Sequence, residues 1–397
     1  MFRHYHRHPR FRGHATNGSF TSKQIAALYN YPVGATGKGV KVGIISLGGD
    51  FSQADCDAYS KLIGQTPSPV TVHLIAGAVR KSDPGGADVE NLLDLQCVGG
   101  SAPGAARHIF FAPNTDAGFA AAIQAAVDAG MDVVSISWGA AEDQWSTTAI
   151  AQMEKAFANA RAAGIVVTVA SGDNGSSDGD KSGNHVDYPA SSSLVVGCGG
   201  TTIKSTAPLS EVVWNDGAKG GATGGGVSAD FVLPTFQSAS GVPGGGKKRG
   251  VPDVALNADP ESGYLLIVAG SQEVVGGTSG AAPMCAGLIA CLIEKLGARF
   301  DFQAIVYKVQ GSALRDITSG NNGTYVAKAG YDCCTGNGVP DGTKLLAALA
   351  PPVVTPPPTT TPPPVVTPPA PTPTAKVQTV TVTGTDFALA VSDQQPT

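Results

Sequence analysis

The first residue that could do chemistry is a serine set among small residues. Ser279 lies in the segment 276–283 (GGTSGAAP), and an apolar stretch of helical character follows it. At the start of a helix, backbone N–H groups and the helix dipole favour developing negative charge, as an attacking nucleophile requires. The alternative is that the Ser279 hydroxyl only caps the helix. Ser279 is therefore a candidate nucleophile that needs a base.

A histidine base is not apparent in the sequence. Of the seven histidines, four lie within the first 14 residues. His73 and His108 fall in or beside predicted strands, and His185 lies in a polar loop. None lies in the glycine-rich helix start where a subtilisin-type Ser-His-Asp hydrolase places its histidine. This distribution disfavours the Ser-His-Asp reading.

Two carboxylates offer another base. Glu90 and Asp94 are four residues apart, so a helix places both on one face. Like charges this close repel unless they share a proton, which suits a group that accepts and returns one. The alternative is a solvated acidic face, against which Leu92, Leu93 and Leu95 argue because they make the helix largely apolar.

A third carboxylate, Asp173, lies in the segment 171–175 (SGDNG), directly after a predicted buried strand. A protonated aspartic acid there could donate a hydrogen bond to an oxyanion. The alternative is an aspartate that only forms a turn beside its glycines.

The elements that must position these groups alternate along the chain. Short apolar runs typical of strands buried on both faces occur at 40–47, 70–75, 108–112, 133–138, 165–170 and 194–197. Helical stretches lie between them at 53–64, 89–98, 118–129 and 148–163. This alternation predicts an α/β fold with a parallel sheet, whose reactive groups gather at the carboxyl ends of the strands. After residue 200 the pattern favours glycine-rich loops.

Together these segments resemble the sedolisin family, the serine-carboxyl peptidases with a subtilisin-like fold. The resemblance runs from about residue 20 to residue 350 and rests on the order and spacing of four motifs: Glu90-x-x-x-Asp94, Ser135-Ile-Ser-Trp-Gly139, Ser171-Gly-Asp173 and Gly277-Thr-Ser279-x-x-x-Pro283. It implies a subtilisin-like fold with a mostly parallel central sheet and helices on both faces.

The resemblance implies an acid-active serine-carboxyl endopeptidase. Ser279 would attack the scissile carbonyl, and Glu90 would take its proton as general base and pass it to the leaving amine. Asp94 would orient Glu90 and share its proton, while Asp173 would stabilise the oxyanion.

The implied partners are protein or peptide substrates. The backbone at Ser137 and Gly139 would hydrogen-bond to an extended peptide, as in β-strand addition. The rival reading is a non-catalytic surface binding module that keeps the peptidase scaffold.

The resemblance also implies one structural calcium ion. Its ligands would be the side chains of Asp316 and Asp332 and the backbone carbonyls of Ile317, Lys328 and Gly330. Oxygen donors of this kind suit a hard cation. The alternative is two surface aspartates in a loop rich in glycine and asparagine.

Composition divides the chain into four segments. Residues 1–20 are expected to be a basic, disordered arm, with a metal-binding tract or a precursor remnant as alternatives. Residues 21–350 form the predicted peptidase domain, 351–375 a linker rich in proline and threonine, and 376–397 a short tail that resembles the start of a further module.

Composition also limits the partners. The net charge of −5 provides no basic field for nucleic acid, and no apolar run reaches the ~20 residues of a membrane span. The seven cysteines lack the spacing of a zinc site and are expected to be buried apolar residues. A monomer with an extracellular location is expected, although no signal peptide is visible in this chain.

Overall fold

The computed structural model describes residues 6–7, 10–14, 18–350, 379–382 and 389–392. The rest of the predicted arm, the whole predicted linker (351–375) and the remainder of the tail lie outside these residues. The described chain separates into a compact unit that ends at Ala350 and a second unit that begins at Pro351.

Within the described residues, the α-helices are α1 (Ser22–Leu28), α2 (Gln53–Leu62), α3 (Ala87–Ser101), α4 (Asp116–Asp128), α5 (Thr147–Ala162), α6 (Gly217–Gly220), α7 (Thr278–Leu296), α8 (Phe302–Lys308) and α9 (Gly342–Leu349). The β-strands are β1 (His6–Arg7), β2 (Arg10–His14), β3 (Lys41–Ser46), β4 (Val70–Leu74), β5 (Ala106–Phe111), β6 (Val133–Ile136), β7 (Trp138–Ala141), β8 (Val166–Ala170), β9 (Asp187–Tyr188), β10 (Val196–Thr206), β11 (Leu209–Val213), β12 (Gly226–Val232), β13 (Lys248–Val251), β14 (Val254–Asn257), β15 (Tyr264–Val268), β16 (Ser271–Gly276), β17 (Leu314–Arg315), β18 (Val339–Pro340), β19 (Thr379–Val382) and β20 (Leu389–Ser392).

The central sheet has the strand order β11-β10-β8-β6-β3-β5-β4, and β14 also pairs with β10. Every pairing in it is parallel except that of β10 with β11. The sheet is mostly parallel and α-helices cover both faces, so the predicted fold class is confirmed. β6 and β8 run in the same direction, which brings the segments that follow them, at Ser137 and Asp173, to one edge of the sheet.

Side chains that point alternately to the two faces of the sheet form one hydrophobic cluster on each face. In β3, Val42 and Ile44 pack in a cluster with α1, α3 and α7, whereas Ile45 packs in a cluster with α4 and α5 on the opposite face. Successive side chains of a strand point to opposite faces, so a strand covered on both sides must be apolar throughout. This requirement explains why the central strands could be located from sequence.

Helix α7 runs through the first of these clusters. By length and composition it could cross a membrane, but 83% of its most apolar stretch is buried inside the protein. A helix surrounded by protein is apolar all round for the same reason as one surrounded by lipid. Its hydropathy reflects its position as a core helix that carries Ser279 at its start.

The region after residue 200 contains the expected glycine-rich loops, at 221–225 and 241–246, but also more strands than expected. β10 runs on to Thr206, and β11 to β16 follow it. A Cβ added to Gly200 would lie 2.6 Å from the Cβ of Ala258 and 3.0 Å from the ring of Trp214. Gly200 therefore permits close packing inside a strand.

The described parts of the N-terminal arm form two short strands, whereas the sequence led us to expect a disordered arm. β1 pairs antiparallel with β7, where His6 lies opposite Gly139, and β2 pairs antiparallel with β16, where Arg10 lies opposite Gly276. Both partner strands border the segment that holds Ser279. The unpaired edges of β7 and β16 explain why a short extended segment can add to them.

We predict that Gly280→Ala destabilises the protein. Gly280 follows Ser279 in α7, and a Cβ on it would lie 2.3 Å from the ring of the fully buried Tyr264. Overpacking of this kind costs about 1–3 kcal/mol, so the melting temperature should fall by roughly 2–4 °C for a chain of this size. The matched control is Gly48→Ala, because nothing lies within 4 Å of a Cβ built there. Equal melting temperatures for the two variants would contradict the packing argument.

Candidate active site

The turn before Ser279 is shaped by two glycines. β16 ends at Gly276, where an added Cβ would lie 2.4 Å from the carbonyl oxygen of Ala258. Gly277 has φ 113°, in the region that favours glycine, and α7 begins at the next residue. The two glycines allow the sharp passage from strand to helix that sets Ser279 in the first turn of α7.

Glu90 is the group that the structure places beside the nucleophile. The Ser279 hydroxyl donates to Glu90 Oε2 over 3.1 Å, and both residues are fully buried. The contact exists because α3, which carries Glu90, packs against α7. A serine hydroxyl and a carboxylate within hydrogen-bond distance have the arrangement that a nucleophile and its general base require.

The three histidines whose side chains the structure describes lie elsewhere. His73 and His108 contact each other across β4 and β5, with 3.0 Å between Nε2 and Nδ1. The Nδ1 atom of His185 lies 3.4 Å from a carboxylate oxygen of Asp143. None of these three is a hydrogen-bond partner of Ser279 in the contacts that the structure shows.

Asp94 lies one helical turn after Glu90 and is also fully buried. Burial raises the pKa of Asp94 well above its usual range, and a hydrogen bond from the Ser137 hydroxyl opposes this rise. That hydroxyl lies 2.8 Å from Asp94 Oδ1. The acid is therefore set to keep its proton beside Glu90.

Asp173 is tied to the residue that precedes the nucleophile. Its Oδ1 atom accepts hydrogen bonds from both the backbone N–H and the side-chain hydroxyl of Thr278, each over 2.8 Å. Gly172, with φ 98°, turns the chain after β8 so that Asp173 reaches α7. Because Oδ1 already accepts two donors, a proton on Asp173 belongs on Oδ2, which makes that atom a hydrogen-bond donor.

The predicted substrate-binding residues differ in how they face the site. The backbone of Gly139 lies on β7, in the antiparallel ladder with β1. Ser137 lies between β6 and β7, and its buried side chain turns to Asp94. Sequence reasoning considered only the backbone of Ser137 and missed this contact, since no spacing rule links it to Asp94.

Sequence reasoning also missed Thr278 and Asp187. Thr278 could have been noticed as a hydroxyl beside the nucleophile. Asp187 lies on β9 with no exposed surface, and its Oδ1 atom would be 2.1 Å from a Cβ on Gly139. Its burial raises its pKa well above the usual range, and the nearby carboxyl groups of Asp173 and Glu142 raise it further, since either of them would repel a charged Asp187 when ionised. The one indication of Asp187 in the sequence is that it is an acidic residue within the otherwise apolar segment 186–190.

The residues predicted to hold calcium lie in one group. Asp316 Oδ2 accepts from the backbone N–H of Gly330 over 2.8 Å, and Asp332 Oδ2 accepts from that of Lys328 over 3.1 Å. Asp316 Oδ1 is buried and makes no hydrogen bond within the residues that the structure describes. A buried carboxylate oxygen of this kind needs a partner, so the donor set fits a hard cation.

A second group of possible metal ligands was not predicted. Asp143, Asp180 and His185 place one ligand atom each within 4.8 Å of one another. His185 Nδ1 lies 3.4 and 3.7 Å from the two carboxylates, so a protonated imidazole would pair with both. The group needs no metal ion to account for it.

Comparison with known proteins shows which peptidases this chain is similar to. Residues 74–330 match the subtilase family (peptidase S8). Kumamolisin of Bacillus sp. (strain MN-32) is 43% identical over 353 residues, an alignment that covers 84% of this chain and 64% of kumamolisin. Sedolisin of Pseudomonas sp. (strain 101) is 33% identical over 356 residues, covering 82% of this chain and 60% of sedolisin. The chain therefore spans somewhat less than two thirds of these relatives.

Among solved structures, Pseudomonas sedolisin in complex with two molecules of pseudo-iodotyrostatin superposes with a TM-score of 0.76 at 32% identity. That superposition covers 84% of this chain and 98% of the sedolisin chain. A lanthipeptide protease matches at a TM-score of 0.56 and 16% identity, a likeness of fold alone.

We predict that Asp187→Asn stabilises the protein at neutral pH more than at acidic pH. Above the ordinary aspartate pKa of about 4, the unfolded chain releases this proton while the folded chain retains it. The raised pKa of Asp187 therefore favours the folded state at low pH, and this contribution is lost as the pH rises. Asparagine has no proton to release, so the variant should gain about 2–4 °C in melting temperature at pH 7.

The gain should shrink towards pH 4 in thermal unfolding followed at both values. Asp230→Asn is the control, because Asp230 is exposed. An equal gain for Asp187→Asn at the two pH values would show that its pKa is not raised by folding.

Proposed function

The chain belongs to the sedolisin family of subtilisin-like peptidases, and on that basis we propose that it is an acid-active serine-carboxyl endopeptidase acting on proteins or peptides. The observation that carries the proposal is the 3.1 Å hydrogen bond from the Ser279 hydroxyl to Glu90. It supplies a nucleophile and a base, and none of the three histidines whose side chains the structure describes is a hydrogen-bond partner of Ser279.

In the first half-reaction, Ser279 Oγ bonds to the scissile carbonyl carbon and its proton passes to Glu90. The carbonyl oxygen becomes an oxyanion, which the neutral Asp173 stabilises by donating a hydrogen bond from Oδ2. The C–N bond then breaks and Glu90 gives its proton to the leaving amine. An acyl-enzyme on Ser279 remains.

In the second half-reaction, Glu90 takes a proton from water as the water oxygen bonds to the acyl carbon. The bond to Ser279 breaks, and Glu90 returns the proton to Ser279 Oγ. Asp94 keeps its own proton close to Glu90 throughout, since burial raises the pKa of Asp94. Each half-reaction therefore begins and ends with the same number of protons on the carboxyl groups.

Substrate would bind as an added strand beside β7. The pairing of His6 and Arg7 with this strand supports the proposal, because it shows that its edge accepts an antiparallel extended backbone. Gly139 has no side chain because a Cβ there would lie 2.1 Å from the Asp187 carboxyl, so Asp187 and β7 can pack closely behind the proposed substrate strand.

We also propose the four-part organisation predicted from sequence: an arm at 1–20, a peptidase domain at 21–350, a linker at 351–375 and a tail at 376–397. The division of the described contacts at Ala350 supports the second boundary, between the peptidase domain and the linker. Family membership supports an extracellular place of action, with the domain working as a monomer.

We predict that Ser279→Ala abolishes proteolysis. Digestion of casein or haemoglobin at about pH 3–5 should fall by roughly a thousandfold or more, because loss of the nucleophile removes the covalent route. Since Glu90 must be ionised while Asp173 stays protonated, kcat/KM of the parent should peak below pH 7. Equal digestion by parent and variant would point instead to a non-catalytic binding module, and a maximum above pH 7 would contradict the carboxyl mechanism.

We propose one structural calcium ion at the group around Asp316. The carboxylates of Asp316 and Asp332 and the backbone carbonyls of Ile317, Lys328 and Gly330 would hold it. The ion would neutralise two buried negative charges and tie together loops distant from Ser279.

A chelator should therefore lower the melting temperature. At a calcium concentration a hundred times Kd, binding stabilises by about 2.7 kcal/mol, or roughly 4 °C for a chain of this size. Asp316→Asn should melt lower than the parent and lose the response to EGTA. A parent that melts at the same temperature with and without EGTA would argue against the site.

A further inference from the structure

Ser137 lies where two elements of the site meet. β6 ends at Ile136 and β7 begins at Trp138, so Ser137 belongs to neither strand. Its side chain is fully buried, and its hydroxyl oxygen lies 2.8 Å from Asp94 Oδ1 and 3.4 Å from the carbonyl oxygen of Ser279. One hydroxyl thus reaches both the helix of the carboxylates and the helix of the nucleophile.

The Ser137 hydroxyl donates its single proton to the nearer of these two acceptors. A serine hydroxyl has one proton, and the shorter contact assigns it to Asp94. The Ser279 carbonyl is approached because Pro283, four residues later in α7, has no N–H to bond it. At 3.4 Å that contact is weak, so the main action of Ser137 is on Asp94.

A donor on Asp94 Oδ1 has two effects. It fixes the orientation of the carboxyl, so that its other oxygen is the one that carries a proton. It also favours negative charge on Asp94 and so opposes the effect of burial. Because Asp94 lies one turn from Glu90 on α3, its charge and orientation act on the proton affinity of Glu90.

We propose that Ser137 is a positioning residue of the peptidase reaction, whose hydroxyl fixes the orientation of the Asp94 carboxyl and makes the Glu90–Asp94 pair bind a second proton less readily, so that Glu90 remains available as the base. The inference rests on the proposed function, since it takes Glu90 as the base. It is separate from any backbone contact that residue 137 makes with substrate, because the backbone is unchanged when the hydroxyl is removed.

The test is the pH dependence of kcat/KM for the full chain with Ser137→Ala. Without the donor, the carboxyl pair should bind its second proton more readily, so the acidic limb of the profile should move up by about one pH unit. At the parent's optimum, kcat/KM should fall about ten- to a hundredfold. Ser137→Cys should show the same shift, since a thiol fills the space but donates weakly.

Ser135 provides the matched control. It lies two residues earlier on β6, is equally buried, and its hydroxyl makes no hydrogen bond within the part of the chain that the structure describes. Ser135→Ala should leave the acidic limb in place. A limb that stays in place in both Ser137 variants, or that moves equally in Ser135→Ala, would overturn the inference.

The outcomes separate the two proposals. If Ser279→Ala digests as well as the parent, the proposed function fails and this inference fails with it. If digestion depends on Ser279 but the acidic limb of Ser137→Ala is unshifted, only the role of Ser137 is overturned. Should Ser137→Ala not fold, Ser137→Cys decides the question alone.

Discussion

The site depends on keeping several carboxyl groups out of water. Glu90 and Asp94 have no exposed surface, and Asp173 is 2% exposed. Burial of an ionised carboxylate is costly unless hydrogen bonds or charges compensate it, and otherwise the group keeps its proton. Their partners include the hydroxyls of serine and threonine and one backbone N–H. Neutral donors of this kind reduce the cost of burying a carboxylate and still allow a buried acid to keep its proton.

The same chain shows the other way to bury an acid. Asp253 is fully buried against Arg249, with contacts of 2.8 and 2.6 Å from the two guanidinium nitrogens. There the Arg249 guanidinium places a positive charge against the buried carboxyl group, and Tyr307 adds a further donor. Within the part of the chain whose side chains the structure describes, hydroxyl groups contact the acids around Ser279. A hydroxyl compensates a buried negative charge less than a guanidinium does.

Much of this could be predicted from sequence, and the failures have common causes. The central strands were visible because burial on both faces leaves them apolar throughout, and Glu90 and Asp94 because a helix relates positions four apart. Ser137 and Asp187 were not predictable as side-chain partners, since their contacts join segments that only the sheet brings together. The extension of β10 beyond residue 200 was not predicted, because a glycine can mark either a turn or a close approach, and only the neighbours of Gly200, Ala258 and Trp214, distinguish the two.

The position of the nucleophile is set by the sheet as much as by its own helix. Pro283 removes one hydrogen bond from the first turns of α7, so the carbonyl of Ser279 loses its ordinary partner. Side chains from the sheet approach there: the Ser137 hydroxyl lies beside that carbonyl, and the Thr168 hydroxyl of β8 donates to the carbonyl of Ala282 over 3.0 Å. β8 also leads directly into the turn of Asp173. A shift of the sheet edge would therefore move Ser279, Ser137 and Asp173 together, which preserves their mutual distances better than three independent loops could.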